Sequence, residues 1–182
     1  MKKPTVLIFG ADGQLGHDLA KAFSSTHTVI ASARRDADIT SEHGIVETIR
    51  RHAPTLVINC AAFTKVDQNE IMPAESFQVN AIGAFYIART AGRHNIPVLF
   101  ISTDYVFDGF QKSFYELDVP HPINVYGASK YAGELLSSMV NSKTYIVRTS
   151  ALFGAHASGK GYNFVTKMIE LAHTGEVIRV VD

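Results

Sequence analysis

Short apolar runs rich in β-branched residues alternate along this chain with longer stretches of helical period. The runs are Thr5–Phe9, Thr28–Ala31, Thr55–Asn59, Val98–Ile101, Tyr145–Val147 and Val177–Val181. Each is continuous rather than alternating, which predicts strands buried on both faces. Helix candidates lie between them over Gln14–Ser24, Ser41–His52, Pro73–Arg93, Asn124–Val140 and Tyr162–His173. Pro73 suits a first helical turn, Asn95 and Pro97 end that helix, and Gly175 stands where a left-handed cap is wanted. The alternation implies βαβ units and an α/β fold with a parallel sheet. A closed β/α barrel would give the same alternation, so the motifs must decide. Two connections are long for such units, from Asp104 to about Ile123 and from Ser150 to about Gly161. In an open parallel sheet ligands bind at the carboxyl ends of strands, and the first long connection leaves from such an end.

The first run is followed by Gly10-Ala11-Asp12-Gly13-Gln14-Leu15-Gly16 and then a helix. A tight turn at Gly10, close backbone approach at Gly13 and close helix–sheet packing at Gly16 are what a pyrophosphate site needs. The N–H groups of Gln14 and Leu15, at the helix N-terminus, would face the phosphates. An ordinary strand-to-helix turn is the bland alternative, but the placement after the first strand favours a dinucleotide. This makes the fold a doubly wound parallel sheet of the Rossmann type. After the second run, Ala31-Ser32-Ala33-Arg34-Arg35 lacks the carboxylate that would accept from an NAD ribose. Arg34 and Arg35 are suited instead to a 2′-phosphate, so NADP is preferred over NAD, with NADH still open. Asp38 and Ile39 follow closely and are candidates for the adenine pocket.

Tyr126 and Lys130 stand four apart, on one face of a helix that opens directly after the first long connection. Such a pair is common by chance, and its context gives it weight. Ser102-Thr103-Asp104-Tyr105 lies at the carboxyl end of the fourth run, on the ligand side. A phenol has an ordinary pKa near ~10, too high for efficient proton exchange at neutral pH. A neighbouring ammonium favours the phenolate, and a hydroxyl such as Thr103 can hydrogen-bond the same oxygen or a substrate carbonyl. Together they suit protonation of the alkoxide formed when a hydride reaches a ketone.

Composition narrows the function classes. Lys and Arg number 17 against 17 Asp and Glu, a net charge of zero that argues against a dedicated nucleic-acid binder. No apolar run approaches the ~18 residues of a membrane helix. The single cysteine, Cys60, excludes an intrachain disulfide and fits a reducing cytoplasm. It reads as a structural thiol beside the proposed cofactor groove. The eight histidines are scattered without ligand spacing, so no metal site is expected.

The glycine loop, Tyr126-x-x-x-Lys130 and Thr103 resemble the extended short-chain dehydrogenase/reductases. Within them, the resemblance is to the dTDP-4-dehydrorhamnose reductase family. It runs through Asp38-Ile39-Thr40, Asn59 to Asp67, Val79-Asn80-Ala81, Ser102 to Gly109, Val125 to Glu134, Arg148-Thr149-Ser150 and Asn163-Phe164-Val165. It implies NADPH-dependent reduction at C4 of a nucleotide-linked 4-keto-6-deoxy sugar, for cell-surface polysaccharide synthesis. Tyr126 would donate the proton. Lys130 would hold the nicotinamide ribose and depress the tyrosine pKa. Thr103 would tune the tyrosine and, with Asp104 and Tyr105, contact the sugar. Ala61, Ala62 and Phe63 would line the cofactor groove. Ala151 stands where the family usually has a Trp packing on the sugar, which implies a different sugar or replacement by Leu152 and Phe153. Residues 1–182 would be the cofactor half of a two-lobed enzyme with its substrate lobe beyond this stretch, compatible with a homodimer. The alternatives are a nucleotide-sugar epimerase or dehydratase of the same fold, and a non-catalytic NADP-binding regulatory subunit.

Overall fold

The computed structural model describes residues 3–154, 156, 163–175 and 177–178. Its sheet is parallel, formed by β1 (Thr5–Phe9), β2 (Thr28–Ser32), β3 (Leu56–Asn59), β4 (Val98–Thr103) and β5 (Thr144–Thr149) in the order β2-β1-β3-β4-β5. Chain direction around the sheet reverses between β1 and β3, so the crevice for a ligand opens at their carboxyl ends. The helices are α1 (Gln14–Phe23), α2 (Glu42–His52), α3 (Val66–Ile71), α4 (Pro73–Phe77), α5 (Ala84–Arg93), α6 (Val125–Val140) and α7 (Phe164–Thr174).

The continuous apolar character of β1 is used on both faces. Leu7 and Phe9 join Ile45 and Ile49 of α2 and Ile87 and Ala91 of α5 in one core cluster. Val6 and Ile8 join Leu19, Ala20 and Phe23 of α1 in the other. Leu7, between Ile30 of β2 and Val57 of β3 in register, is fully buried. Burying each such side chain is worth about 1.5–3 kcal/mol. Helices on both faces of a parallel sheet are the doubly wound arrangement expected.

Several expected elements come out differently. The run Pro73–Arg93 is one helical path broken by a π-helical turn at Gln78–Gly83, between α4 and α5. The short helix α3 falls in a stretch with no clear period and is held by side-chain bonds from Asn69 to the Phe63 and Lys65 carbonyls. β5 was expected to be buried on both faces, yet Tyr145, Ile146 and Val147 are exposed because β5 is the sheet edge among the described residues. β2, the opposite edge, is also only partly covered. The strand expected at Val177–Val181 lies largely outside the described residues, and Val177 and Ile178 form none. The expected helix from Tyr162 begins instead at Phe164. Asn163 caps it by accepting from the Thr166 N–H at 3.0 Å, and residue 162 lies outside the described ones. Asn95 and Gly175 take the left-handed conformation, at φ 59° and 71°, as their places at helix ends require.

Candidate active site

A cleft of about 800 Å³ runs along the carboxyl ends of the strands. Its floor is the turn between β1 and α1. Gly10 has φ 73°, and a Cβ there would fall 2.6 Å from the Ala61 nitrogen. A Cβ on Gly16 would fall 2.3 Å from the Gly10 carbonyl oxygen. Any side chain at either place would push β3's loop or α1 away, so the cradle exists only with glycine. Gly13 caps α1 without a side-chain hydrogen bond, and α1 has no acidic residue in its first turn. Gly13, Gln14, Leu15 and Gly16 line the cleft, so the positive end of α1 faces it uncompensated. Gln14 Oε1 is buried there with no hydrogen-bond partner. A bare helix N-terminus and glycines that a Cβ would fill fit a pyrophosphate.

At the β2 end, the structure separates the two arginines. Arg34 reaches the cleft and donates from Nε to Asp38 Oδ2 at 3.1 Å. Arg35 does not line the cleft; it is exposed and stands 3.9 Å from Asp36. Asp36 accepts from the Ala33 N–H, turning the chain so that its own carboxylate closes the turn. Asp38 and Ile39 line the cleft as expected. Burial raises the Asp38 carboxyl, but hydrogen bonds from the Thr40 N–H and hydroxyl and from Arg34 overcome it and hold the group below its ordinary value. At the β3 end, Ala61, Ala62 and Phe63 line the wall. Asn80, in the π-helical turn, clamps that wall by accepting from the Phe63 N–H at 2.8 Å and donating to its carbonyl at 3.1 Å.

The same cleft holds Thr103, Asp104, Tyr105, Tyr126 and Lys130. Asn124 caps α6 by accepting from the Gly127 N–H at 2.7 Å, which starts the helix one residue before Tyr126. The Glu70 carboxylate, from α3, accepts from the Val125 N–H at 2.7 Å and anchors the same end. Burial pushes the Tyr126 phenol up to about 12, a hydrogen bond with Thr103 works against that, and Asp104 and Tyr105 add to it. Tyr105 packs edge-on against the Tyr126 ring at 5.7 Å. Lys130 is 2% exposed. Its ammonium donates to the Ile101 carbonyl at 2.6 Å and sits 4.2 Å from the Phe100 ring centre. Burial brings it down to about 8, while Glu134 and Cys60 pull the other way. The Cys60 thiol is pushed up to about 12 by burial, so it stays a protonated structural thiol as expected. Ala151, at φ 45°, and Leu152 close the far end of the cleft together with Asn163 and Phe164 of the α7 entrance.

Sequence reasoning missed Asn80 as the clamp on the Phe63 wall and Glu134 as the charge below Lys130. The signal for Glu134 was its i+4 spacing from Lys130. Asn80 was marked only as part of the Val79-Asn80-Ala81 stretch of the family resemblance, with no role attached. No group of His, Cys, Asp and Glu that could hold a metal ion occurs among the described residues. Nor is any of their helices long and apolar enough to cross a membrane.

Comparison with known proteins agrees with this geometry. The family model described as the RmlD substrate binding domain matches residues 4–182. The dTDP-4-dehydrorhamnose reductase of Aggregatibacter actinomycetemcomitans is 41% identical over 179 residues, covering 97% of this chain and 60% of that protein. The dTDP-4-keto-6-deoxy-D-glucose reductase of Streptomyces niveus is 39% identical, over 97% of this chain and 61% of that protein. The crystal structure of dTDP-4-dehydrorhamnose reductase from Bacillus anthracis in complex with NADP superposes with a TM-score of 0.92 at 39% identity, over 98% of this chain and 63% of that one. The chain thus spans about three-fifths of the length of the relatives it matches.

Proposed function

The chain belongs to the RmlD substrate-binding-domain family, and from that premise we propose that it is the dinucleotide-holding part of a reductase. Its substrate would be the 4-keto group of a nucleotide-linked 6-deoxy sugar, in the manner of dTDP-4-dehydrorhamnose, and its reductant NADPH. One observation carries the reading: a single cleft holds the glycine cradle at one end and Thr103, Tyr126 and Lys130 at the other. The reduction needs both halves, and a binding module needs only the first.

When bound, NADPH supplies the hydride. Gly10, Gly13, Gly16, Gln14 and Leu15 hold its pyrophosphate on the α1 terminus, and Arg34 meets the 2′-phosphate. Asp38 and Ile39 flank the adenosine, with Ala61, Ala62 and Phe63 along the wall. Tyr126, protonated across the neutral range because burial raises its pKa, gives its proton to the oxygen at C4. Thr103, at the end of β4 in the same cleft, steadies the phenol. Lys130 binds the nicotinamide ribose hydroxyls, and its positive charge favours the phenolate left after transfer. Asp104 and Tyr105 contact the sugar, and Ala151 with Leu152 gives that seat a smaller wall than a Trp would. The lone thiol, Cys60, supports a reducing, cytoplasmic setting.

The test is Tyr126→Phe in the full enzyme. The variant keeps NADPH affinity within about twofold and loses 10²-fold or more of its reductase rate, roughly the contribution of a positioned general acid. Unchanged turnover would remove Tyr126 from the reaction. A sugar nucleotide that rearranges with no net NADPH consumption would mark an epimerase instead.

A further inference from the structure

Beneath the Tyr126–Lys130 pair lies an ionic cluster, its carboxylate buried and its guanidinium half-buried, that the reductase reading does not use. Glu134, one helical turn beyond Lys130 on α6, is 2% exposed. Its carboxylate accepts from the Ser102 hydroxyl at 2.5 Å, and from Arg148 Nε and Nη2 at 3.0 and 2.6 Å. Ser102 is the neighbour of Thr103 at the end of β4, and Arg148 comes from β5 and lies over the Phe107 ring. One carboxylate therefore ties the ends of β4 and β5 to the helix that carries the proton donor and the ammonium.

We propose that Glu134 is a positioning residue for that pair: with Ser102 and Arg148 it pins the end of β4 to α6, and it supplies counter-charge to the buried Lys130 ammonium. The inference rests on the reductase reading for its catalytic meaning and on geometry for the rest. A buried ammonium needs compensating charge or it loses its proton. Lys130 donates to a carbonyl and faces a ring, and no carboxylate is in ion-pair contact with it among the described residues. The charged and titratable groups around the pair are Tyr126 and Glu134 from α6 itself, Cys60 from the end of β3, Asp104 and Tyr105 from the end of β4, and Arg148 from β5. Cys60 is held protonated by burial, and Arg148 is positive. Of these groups Glu134 is the buried anion on the same helix, one turn from Lys130, and its charge favours the ammonium against the desolvation that burial imposes.

The experiment is Glu134→Gln, which keeps the shape and removes the charge, read by ¹⁵N-lysine NMR titration with Lys130→Met to assign the resonance. Lys130 should lose its proton about one pH unit or more lower than in the parent protein. The alkaline limb of kcat/KM should move down with it, and Glu134→Asp should restore most of both. Because Glu134→Gln leaves Arg148 unpaired, the double variant Glu134→Gln with Arg148→Met serves where the single one does not fold, and it should give a smaller downward shift, since the Arg148 charge leaves with the carboxylate. An unchanged Lys130 midpoint in the folded variant overturns the proposal even if the enzyme reduces its substrate. A shifted midpoint in a protein that reduces no 4-keto sugar nucleotide keeps the counter-charge and overturns the reductase reading alone.

Discussion

Arg34 and Tyr126 mark the two ends of the chemistry, and each is shaped by its immediate neighbours. Arg34 is largely exposed and pairs with Asp38 at 3.1 Å. That carboxylate orients the guanidinium, yet it would itself repel a 2′-phosphate and could accept from a ribose hydroxyl. On the proposed reading, the pairing would favour NADPH through Arg34 and leave NADH usable through Asp38. Arg34→Ala should therefore weaken NADPH binding roughly tenfold or more, the scale of a hydrogen bond to a charged group, and change NADH binding little. Fluorescence titration with both dinucleotides checks this, and an equal loss for both would remove the 2′-phosphate role. At the other end burial opposes ionisation of both partners. It raises the phenol to about 12 and lowers the ammonium to about 8, so the proton sits on Tyr126 across the neutral range. Lys130 was expected to depress the phenol, but it is not among the groups that shift Tyr126 here, and its ammonium is turned to Ile101 and Phe100.

The elements divide by how local their causes are. β1 to β4 were legible because each is a continuous apolar run, and a run such as Val6 to Phe9 has no other use than burial on two faces. The glycine cradle was legible because a close approach leaves glycine as a local mark. The edge exposure of β5, the helix α3 and the π-helical turn were not, because each depends on what lies beside it in space. The π-helical turn is the clearest case. It places the Asn80 amide to bond the Phe63 backbone twice, with Nδ2 also 2.9 Å from Ser129 on α6, contacts 17 and 49 residues away in sequence. Extra residues in a helix of this kind often mark functional sites. Asn80→Ala would leave the half-buried Phe63 N–H unpaired and its carbonyl with the Asn69 bond alone. It should cost about 2–3 kcal/mol, seen as a melting temperature lower by about 5–10 °C, and weaken dinucleotide binding. A melting curve unchanged from the parent would show that the clamp contributes nothing.

For the molecule as a whole, zero net charge does not conflict with binding a polyanion. The attraction is local: an uncapped α1 terminus, Arg34 and Lys130 lie along the cleft, whose lining also carries the carboxylates of Asp12, Asp38, Glu75 and Asp104. The sheet order puts that cleft at the reversal between β1 and β3, and α6 brings Tyr126 to it from a different part of the chain. The central claim is that this cleft holds the dinucleotide and the proton donor on the two sides of one reacting carbonyl. The full enzyme incubated with NADPH deuterated at the nicotinamide C4 and a dTDP-linked 4-keto-6-deoxy sugar tests it most directly, by mass and NMR analysis of the sugar. The account predicts one deuterium at the sugar C4 for each NADPH oxidised. A product without deuterium at C4, or conversion of the sugar with the NADPH untouched, would contradict it.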